Sequence, residues 1–327
     1  MQCNSILPEL RIVDVHDTMI SAQRDAAWPA GTILHTSQLS IGGVSIRTTA
    51  DRMFGLPFSL EPFRADSFDT GIDLQVEWLS QLAPSSAFPL FDSGQTWKLY
   101  EFSGGLQFDF YSTPLGAGPY KRLLTQTGFH SALLQISEEF GERLGYAIEP
   151  LGYPLDELLI IHRLTHEKAI ELHGVGIVGP DGASNLFVGH SGAGKSTTAR
   201  LWTSLHKVDI LSDDRIIVRE HPAGEGATQI FMYGTPWHGE GCFALPQRAP
   251  LQRIFVLEHG HGNVLTRLTR SQMVAELFAR AFVPFHRHEY VDSALSFLER
   301  VADTVPCYHY SFEPDHRAVE RILNFRD

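Results

Sequence analysis

Cysteine is scarce: Cys3, Cys242 and Cys307 are too few and too scattered for a disulfide framework or a Cys-x-x-Cys metal site, and they are expected to be reduced. Basic charge is also short. Lys and Arg number 26 against 38 Asp and Glu, a formal net charge of −12, which argues against a nucleic-acid backbone or an anionic membrane as the main partner, because both reward basic patches. No apolar run approaches membrane-spanning length. The start, Met1-Gln2-Cys3-Asn4-Ser5-Ile6-Leu7-Pro8, lacks the basic residues and apolar stretch of a signal peptide. A soluble, cytoplasmic protein is the expectation.

With 327 residues, 43% of them apolar and 20% charged, the chain has material for one large domain or two of ordinary size. Residues 1–150 alternate in short segments broken by glycine, proline and aspartate. Examples are Thr32-Ile33-Leu34-His35, Gly43-Val44-Ser45-Ile46-Arg47, Asp73-Leu74-Gln75-Val76-Glu77-Trp78, Trp97-Lys98-Leu99-Tyr100-Glu101-Phe102 and Leu106-Gln107-Phe108-Asp109-Phe110-Tyr111. Period two with aromatic and branched residues predicts antiparallel strands buried on one face, and Ser103-Gly104-Gly105 predicts a hairpin turn. This half holds no defensible nucleophile and base. It is expected to be a β-rich module that recognises substrate, or that covers the second half and helps it form a homo-oligomer.

Residues 151–327 open with a predicted helix, Tyr153 to Leu164, with a proline in its first turn. Leu172-His173-Gly174-Val175-Gly176-Ile177-Val178 reads as a strand, Pro180-Asp181-Gly182 turns the chain, and Asn185-Leu186-Phe187-Val188 reads as a second strand. Gly189-His190-Ser191-Gly192-Ala193-Gly194-Lys195-Ser196-Thr197 follows and fits G-x-x-x-x-G-K-[ST], the phosphate-binding loop, with a helix predicted from Lys195 onward. A chance match is expected in about one chain in a hundred of this length, and the strand, loop, helix order lowers that further.

The residue types suit the chemistry. Backbone N–H groups and a helix N-terminus supply fixed positive charge to a polyphosphate. Gly189, Gly192 and Gly194 are expected to take positive φ and let the backbone approach closely. Lys195 would meet the β and γ phosphates of ATP, and the Ser196 hydroxyl would hold Mg²⁺.

Next, two predicted strands within Val208 to Val218 flank Asp213-Asp214, which places acids at a strand end near the loop if the strands are neighbours. Phosphoryl transfer needs one carboxylate near Mg²⁺, and a second can accept the proton of the attacking hydroxyl. Neighbouring strand residues face opposite sides, a constraint that a pair at a turn can escape. An exposed acidic turn is the alternative. His173, on the strand beside the loop's own strand, can face either the core or the site.

His221-Pro222-Ala223-Gly224-Glu225-Gly226 reads as a hairpin into the strand Gln229-Ile230-Phe231-Met232-Tyr233. Gly234-Thr235-Pro236-Trp237-His238-Gly239-Glu240-Gly241 then suits a ligand mouth, with Glu240 as a further metal ligand, or equally a rigid surface turn. Arg248 stands where a guanidinium could meet the transferring phosphoryl group. Leu251 to Glu258 and Cys307 to Phe312 read as strands, and helices are predicted at Ser271 to Phe278, at Asp292 to Leu298 and in the tail. The histidines at 162/166, 259/261 and 286/288 lack an acidic or thiol partner at fixed spacing and are expected to be surface or core residues.

The order His173-Gly174, Gly189-x-Ser191-Gly192-x-Gly194-Lys195-Ser196, then Ser212-Asp213-Asp214 resembles the catalytic domain of HPr serine kinase/phosphorylase and its relatives in the phosphoenolpyruvate carboxykinase-like superfamily, and within that group the HPr-kinase-related kinases. The resemblance covers about residues 150 to 327. It implies an α+β fold, a P-loop kinase core on a mixed or antiparallel sheet. It also implies an ATP- and Mg²⁺-dependent kinase acting on a serine-type hydroxyl of a protein or peptide, such as a ribosomally made precursor. On this pattern Asp213 is the base, Asp214 a metal-side carboxylate and His173 the partner that tunes the base. The chain departs from the bifunctional enzyme at Thr197-Thr198-Ala199-Arg200 and lacks an Arg-Gly-Leu-Gly signature near Gly234, so HPr as acceptor, phosphorolysis and a hexamer are not implied. A nucleotide-dependent regulator with slow hydrolysis and a small-molecule kinase are the competing readings.

Overall fold

The computed structural model describes residues 28–29, 31–67, 71–102, 104–144, 148–224 and 226–326. Cys3, Ser103 and Glu225, singled out above, lie outside the described residues. The fold is mixed α+β, mostly strand, and built on two mixed sheets. Among the described residues no helix is long and apolar enough to cross a membrane.

The first sheet has the order β1-β2-β3-β8-β7-β6-β5-β4. Its strands are β1 (His35–Ile41), β2 (Val44–Ala50), β3 (Gly71–Leu79), β4 (Phe91–Asp92), β5 (Trp97–Phe102), β6 (Gly105–Phe110), β7 (Lys121–Gln126) and β8 (Ser131–Ser137). Pairings are antiparallel except that β3 runs parallel to both β2 and β8, a correction to the all-antiparallel expectation. The β2 pattern shows why the strand forms: Val44, Ile46, Thr48 and Ala50 are buried, while the residues between them are partly exposed. Thr32 to Leu34 precede the strand instead of forming it; β1 begins at His35. Helix α1 (Glu138–Leu144) follows β8.

Helix α2 (Leu155–Leu164) leads to the second sheet. Its main path is β14-β13-β12-β9-β10-β15-β18-β16, with β11 and β17 also paired to β9. The strands are β9 (Ala169–Val178), β10 (Ser184–Val188), β11 (Asp209–Ser212), β12 (Arg215–Gly224), β13 (Ala227–Gly234), β14 (Arg248–Pro250), β15 (Arg253–His259), β16 (Val264–Arg267), β17 (Ala281–Phe282) and β18 (Cys307–Phe312). β10, β15 and β18 are mutually parallel, and the remaining pairings are antiparallel. The helices here are α3 (Lys195–Leu205), α4 (Arg270–Phe278), α5 (His288–Thr304) and α6 (His316–Leu323).

Strand alternation gives the second sheet two apolar faces. Leu172, Leu186, Val188, Ile216 and Met232 pack with residues of α4 and α5. On the other face Val175, Ile177 and Phe187 pack with α3 and α6, while Ala169 and Ile217 join one continuous core with α2 and the first sheet. The β1–β2 turn seats on the second sheet: a Cβ on Gly42 would stand 2.3 Å from Ile217 Cδ1, and the Gly42 carbonyl accepts from Arg219 Nε at 2.9 Å. The two sheets therefore share a core instead of merely being tethered.

Candidate active site

The phosphate-loop stretch occupies the turn between β10 and α3. Gly192 and Gly194 take φ of +81° and +100°. Gly189 is not among the positive-φ residues, which corrects the expectation; it is needed for space, because a Cβ there would lie 2.7 Å from Ala193 Cβ. A Cβ on Gly194 would lie 2.5 Å from the Phe312 ring. Lys195 Nζ donates to the Gly189 and His190 carbonyls at 2.9 and 3.0 Å, so the lysine closes the loop over its own backbone. His190 and Ser191 are exposed and Ser196 and Thr197 half-buried; among the described residues the Ser196 hydroxyl makes no hydrogen bond. His259, at the end of β15, meets the Gly192 carbonyl through Nε2 at 2.9 Å and stacks on Phe312. Nothing in the sequence spacing pointed to that support, since it depends on three parallel strands ending together.

Asp213 and Asp214 form the break between β11 and β12, two strands that both run antiparallel to β9 along the same edge. The break frees the pair from strand alternation, and their carboxylates diverge. Asp213 is 1% exposed and accepts from the backbone N–H of Gly239 at 2.9 Å and of Gly241 at 2.7 Å. Both its oxygens are committed to the Gly/Pro-rich loop. Asp214 instead meets His173 Nε2 through Oδ1 at 2.9 Å and pairs with Arg215 through Oδ2. His173 thus faces the site, against Asp214 and not Asp213. The Asp214 carbonyl accepts from Gly174 N at 3.0 Å, and Gly174 pairs with Val188, the last residue before the loop. One strand, β9, separates Asp214 from the 189–197 loop.

The local field is mixed in sign. Burial pushes the Lys195 ammonium down to about 8; the Asp214 carboxylate opposes this and the Arg280 and Arg215 guanidiniums reinforce it. Burial would raise the Asp214 carboxyl, but His173, Arg215 and Lys195 outweigh it and hold it below the usual carboxylate value. Arg215 is shared: its Nε lies 2.9 Å from Glu157 Oε1 and 3.4 Å from Glu171 Oε1, and its guanidinium sits 4.0 Å over the Phe282 ring. Glu171 is fully buried beside Glu157 and Arg215. Burial and the neighbouring Glu157 charge raise its carboxyl well above the usual value.

The 234–241 loop is anchored at several points. The Thr235 hydroxyl donates to the Arg215 carbonyl at 2.8 Å, and Trp237 Nε1 donates to Asp156 Oδ2 at 3.2 Å. Glu240 is exposed between the two amides that Asp213 holds.

Arg248 does not reach this site. It begins β14, an edge strand four strands from β10, about 19 Å at ordinary strand spacing. Its guanidinium bonds the Tyr233 hydroxyl at 3.0 Å. The cations whose fields reach Lys195 are Arg215 and Arg280. Arg280, 7% exposed, holds Glu276 and has an unpartnered Nε; its carbonyl accepts from His173 N at 2.8 Å. Sequence reading passed over Arg280 because it lies 85 positions beyond Lys195 and reaches β9 only through β17.

Among the described residues no group of three or more His, Cys, Asp or Glu side chains is arranged to hold a metal ion. Mg²⁺ asks for less from the protein, one or two carboxylates or hydroxyls beside substrate phosphates and water, and Ser196 with Asp214 fits that donor set. His162 is buried, stacked on Phe129, and pushed by burial down to about 3. His286 also lies against that ring cluster. His162 is a core histidine and His286 is half-buried at its rim. No protein-family model matches the chain, and no curated protein sequence matches it significantly.

Proposed function

We propose that the protein is a P-loop kinase that transfers the terminal phosphoryl group of ATP to a serine-type hydroxyl of a protein or peptide. The observation that carries this reading is the juxtaposition of the loop bearing Lys195 with the His173–Asp214 pair one strand away. The backbone N–H groups after Gly189 and the N-terminus of α3 receive the polyphosphate, and the Lys195 ammonium neutralises its charge. Arg280, buried beside them with a free Nε, adds positive field where charge develops on the transferring group.

Asp214, whose side chain is 27% exposed and whose field reaches Lys195, takes the acceptor-facing role in place of the buried Asp213. An ionised carboxylate there orients the hydroxyl and takes its proton as the new O–P bond forms and the γ-phosphorus parts from the bridging oxygen, which leaves with ADP. His173 fixes the carboxylate's direction, and Asp213 holds the 234–241 loop in place. Ser196 and Asp214 would hold Mg²⁺, with Glu240 as a further ligand through water, and the ion would supply charge neutralisation to the phosphate oxygens.

Incubation with γ-labelled ATP, Mg²⁺ and serine-bearing peptides tests the reading. Label should appear on peptide, and Asp214→Asn should slow transfer at least about a hundredfold. Transfer by Asp214→Asn at the wild-type rate would remove the base assignment.

A further inference from the structure

A second cleft lies at the junction of the two sheets, about 570 Å³ in volume, walled by the Gly42-Gly43 turn and Phe63 on one side and by His221, Tyr233 and Arg248 on the other. Its polar groups are ordered in one direction. Arg248 donates to the Tyr233 hydroxyl at 3.0 Å, and that hydroxyl lies 2.6 Å from His221 Nε2. Burial, together with the Arg248 and Arg219 charges, lowers His221. Arg248 also lies over the Phe231 and Tyr233 rings, 5.0 and 5.9 Å from their centroids. The guanidinium is held at one N–H and by two rings, leaving other donors for a ligand.

Charge and backbone both indicate what fits. Arg64 across the cleft is matched by Glu61, and Arg219 beneath it by Glu167. Among the described residues Arg248 has no carboxylate partner, in a chain of net charge −12. β14 is a sheet edge. Gly234 N donates to the Gln247 carbonyl at 2.9 Å, which makes Tyr233 and Arg248 a non-hydrogen-bonded pair; by antiparallel alternation the Arg248 N–H and C=O point away from β13.

We propose that this cleft binds an extended acidic peptide, laid beside the β14 edge with a carboxylate against Arg248. The Arg248 N–H and C=O offer one main-chain pairing, since Pro250 lacks an N–H and its carbonyl accepts from the Ser184 hydroxyl, and the guanidinium supplies the charge recognition. The 234–241 loop joins this cleft, at Gly234, to Asp213, at Gly239. The peptide's role as the docking segment of the acceptor rests on the phosphotransfer reading; its binding does not.

Fluorescence anisotropy with fluorescein-labelled hexaglutamate, with hexalysine as control, tests this on the full chain. Hexaglutamate should bind saturably and hexalysine should not. Arg248→Gln should weaken binding about tenfold or more, and Tyr233→Phe, which keeps the ring in the sheet, should weaken it less. Lys195→Ala should bind like wild type, so failure of the kinase reading leaves this result untouched. Equal binding by Arg248→Gln, equal binding of hexalysine, or no binding of hexaglutamate to the wild type would overturn the proposal.

Discussion

His173 Nε2 lies 2.9 Å from Asp214 Oδ1, while the adjacent Asp213 spends both carboxylate oxygens on the amides of Gly239 and Gly241. Two neighbouring acids thus have separable tasks. Asp214→Asn should cost transfer at least about a hundredfold with little change in thermal midpoint. Asp213→Ala should strand two backbone N–H groups, each worth about 1–3 kcal/mol, and lower the midpoint in a calorimetric scan. The reverse pattern would restore Asp213 as the acid that faces the substrate.

Lys195 gives a pH signature. With its ammonium pushed down to about 8 by burial, the free protein holds the charge below that pH and must take up a proton to bind polyphosphate above it. Nucleotide affinity should be flat from pH 6.5 to 7.5 and then fall toward tenfold per pH unit. Lys195→Arg, charged throughout, should show no such fall. Titration calorimetry across the range reads both.

Gly194 combines φ of +100° with a Cβ position 2.5 Å from the Phe312 ring. Gly194→Ala should destabilise the fold by about 1–2 kcal/mol from backbone conformation alone, with the ring clash added, and should weaken nucleotide binding by tilting the start of α3. A variant with wild-type melting and binding would show that the loop does not need this conformation.

Glu171 is buried beneath Arg215, with its carboxyl raised well above the usual value. Its folded value lies above its unfolded value, so its contribution to stability is fully present below about 4.3 and is lost as pH climbs through the folded value. Glu171→Gln should melt like wild type near pH 5 and at a higher temperature at pH 9. A variant that loses stability equally at both would mean that the carboxyl is ionised in the fold.

Much of the strand and helix pattern could be read in advance, because it rests on local periodicity. β9, β10, β18, α2 and α4 fall where alternation or helical spacing put them. β7 and β8 were passed over: Lys121, Thr125, Gln135 and Ser137 are buried polar residues, which hide an alternating pattern. The parallel β2–β3 and β3–β8 pairings leave no local trace either. At the site, the divergence of Asp213 and Asp214 depends on a break between two strands sharing the β9 edge. The displacement of Arg248 follows from its pairing with Tyr233 at the far edge, and the approach of Arg280 from β17 beside β9. These are long-range pairings, and residue spacing does not encode them.

In the proposed function residues 189–197 grip a polyphosphate through backbone amides and one ammonium. Isothermal titration with a non-hydrolysable ATP analogue and Mg²⁺ measures that grip. One nucleotide should bind per chain, and Lys195→Ala should lose that binding while still unfolding in a single cooperative transition. Absence of binding to the wild-type protein, or equal binding to Lys195→Ala, would contradict it.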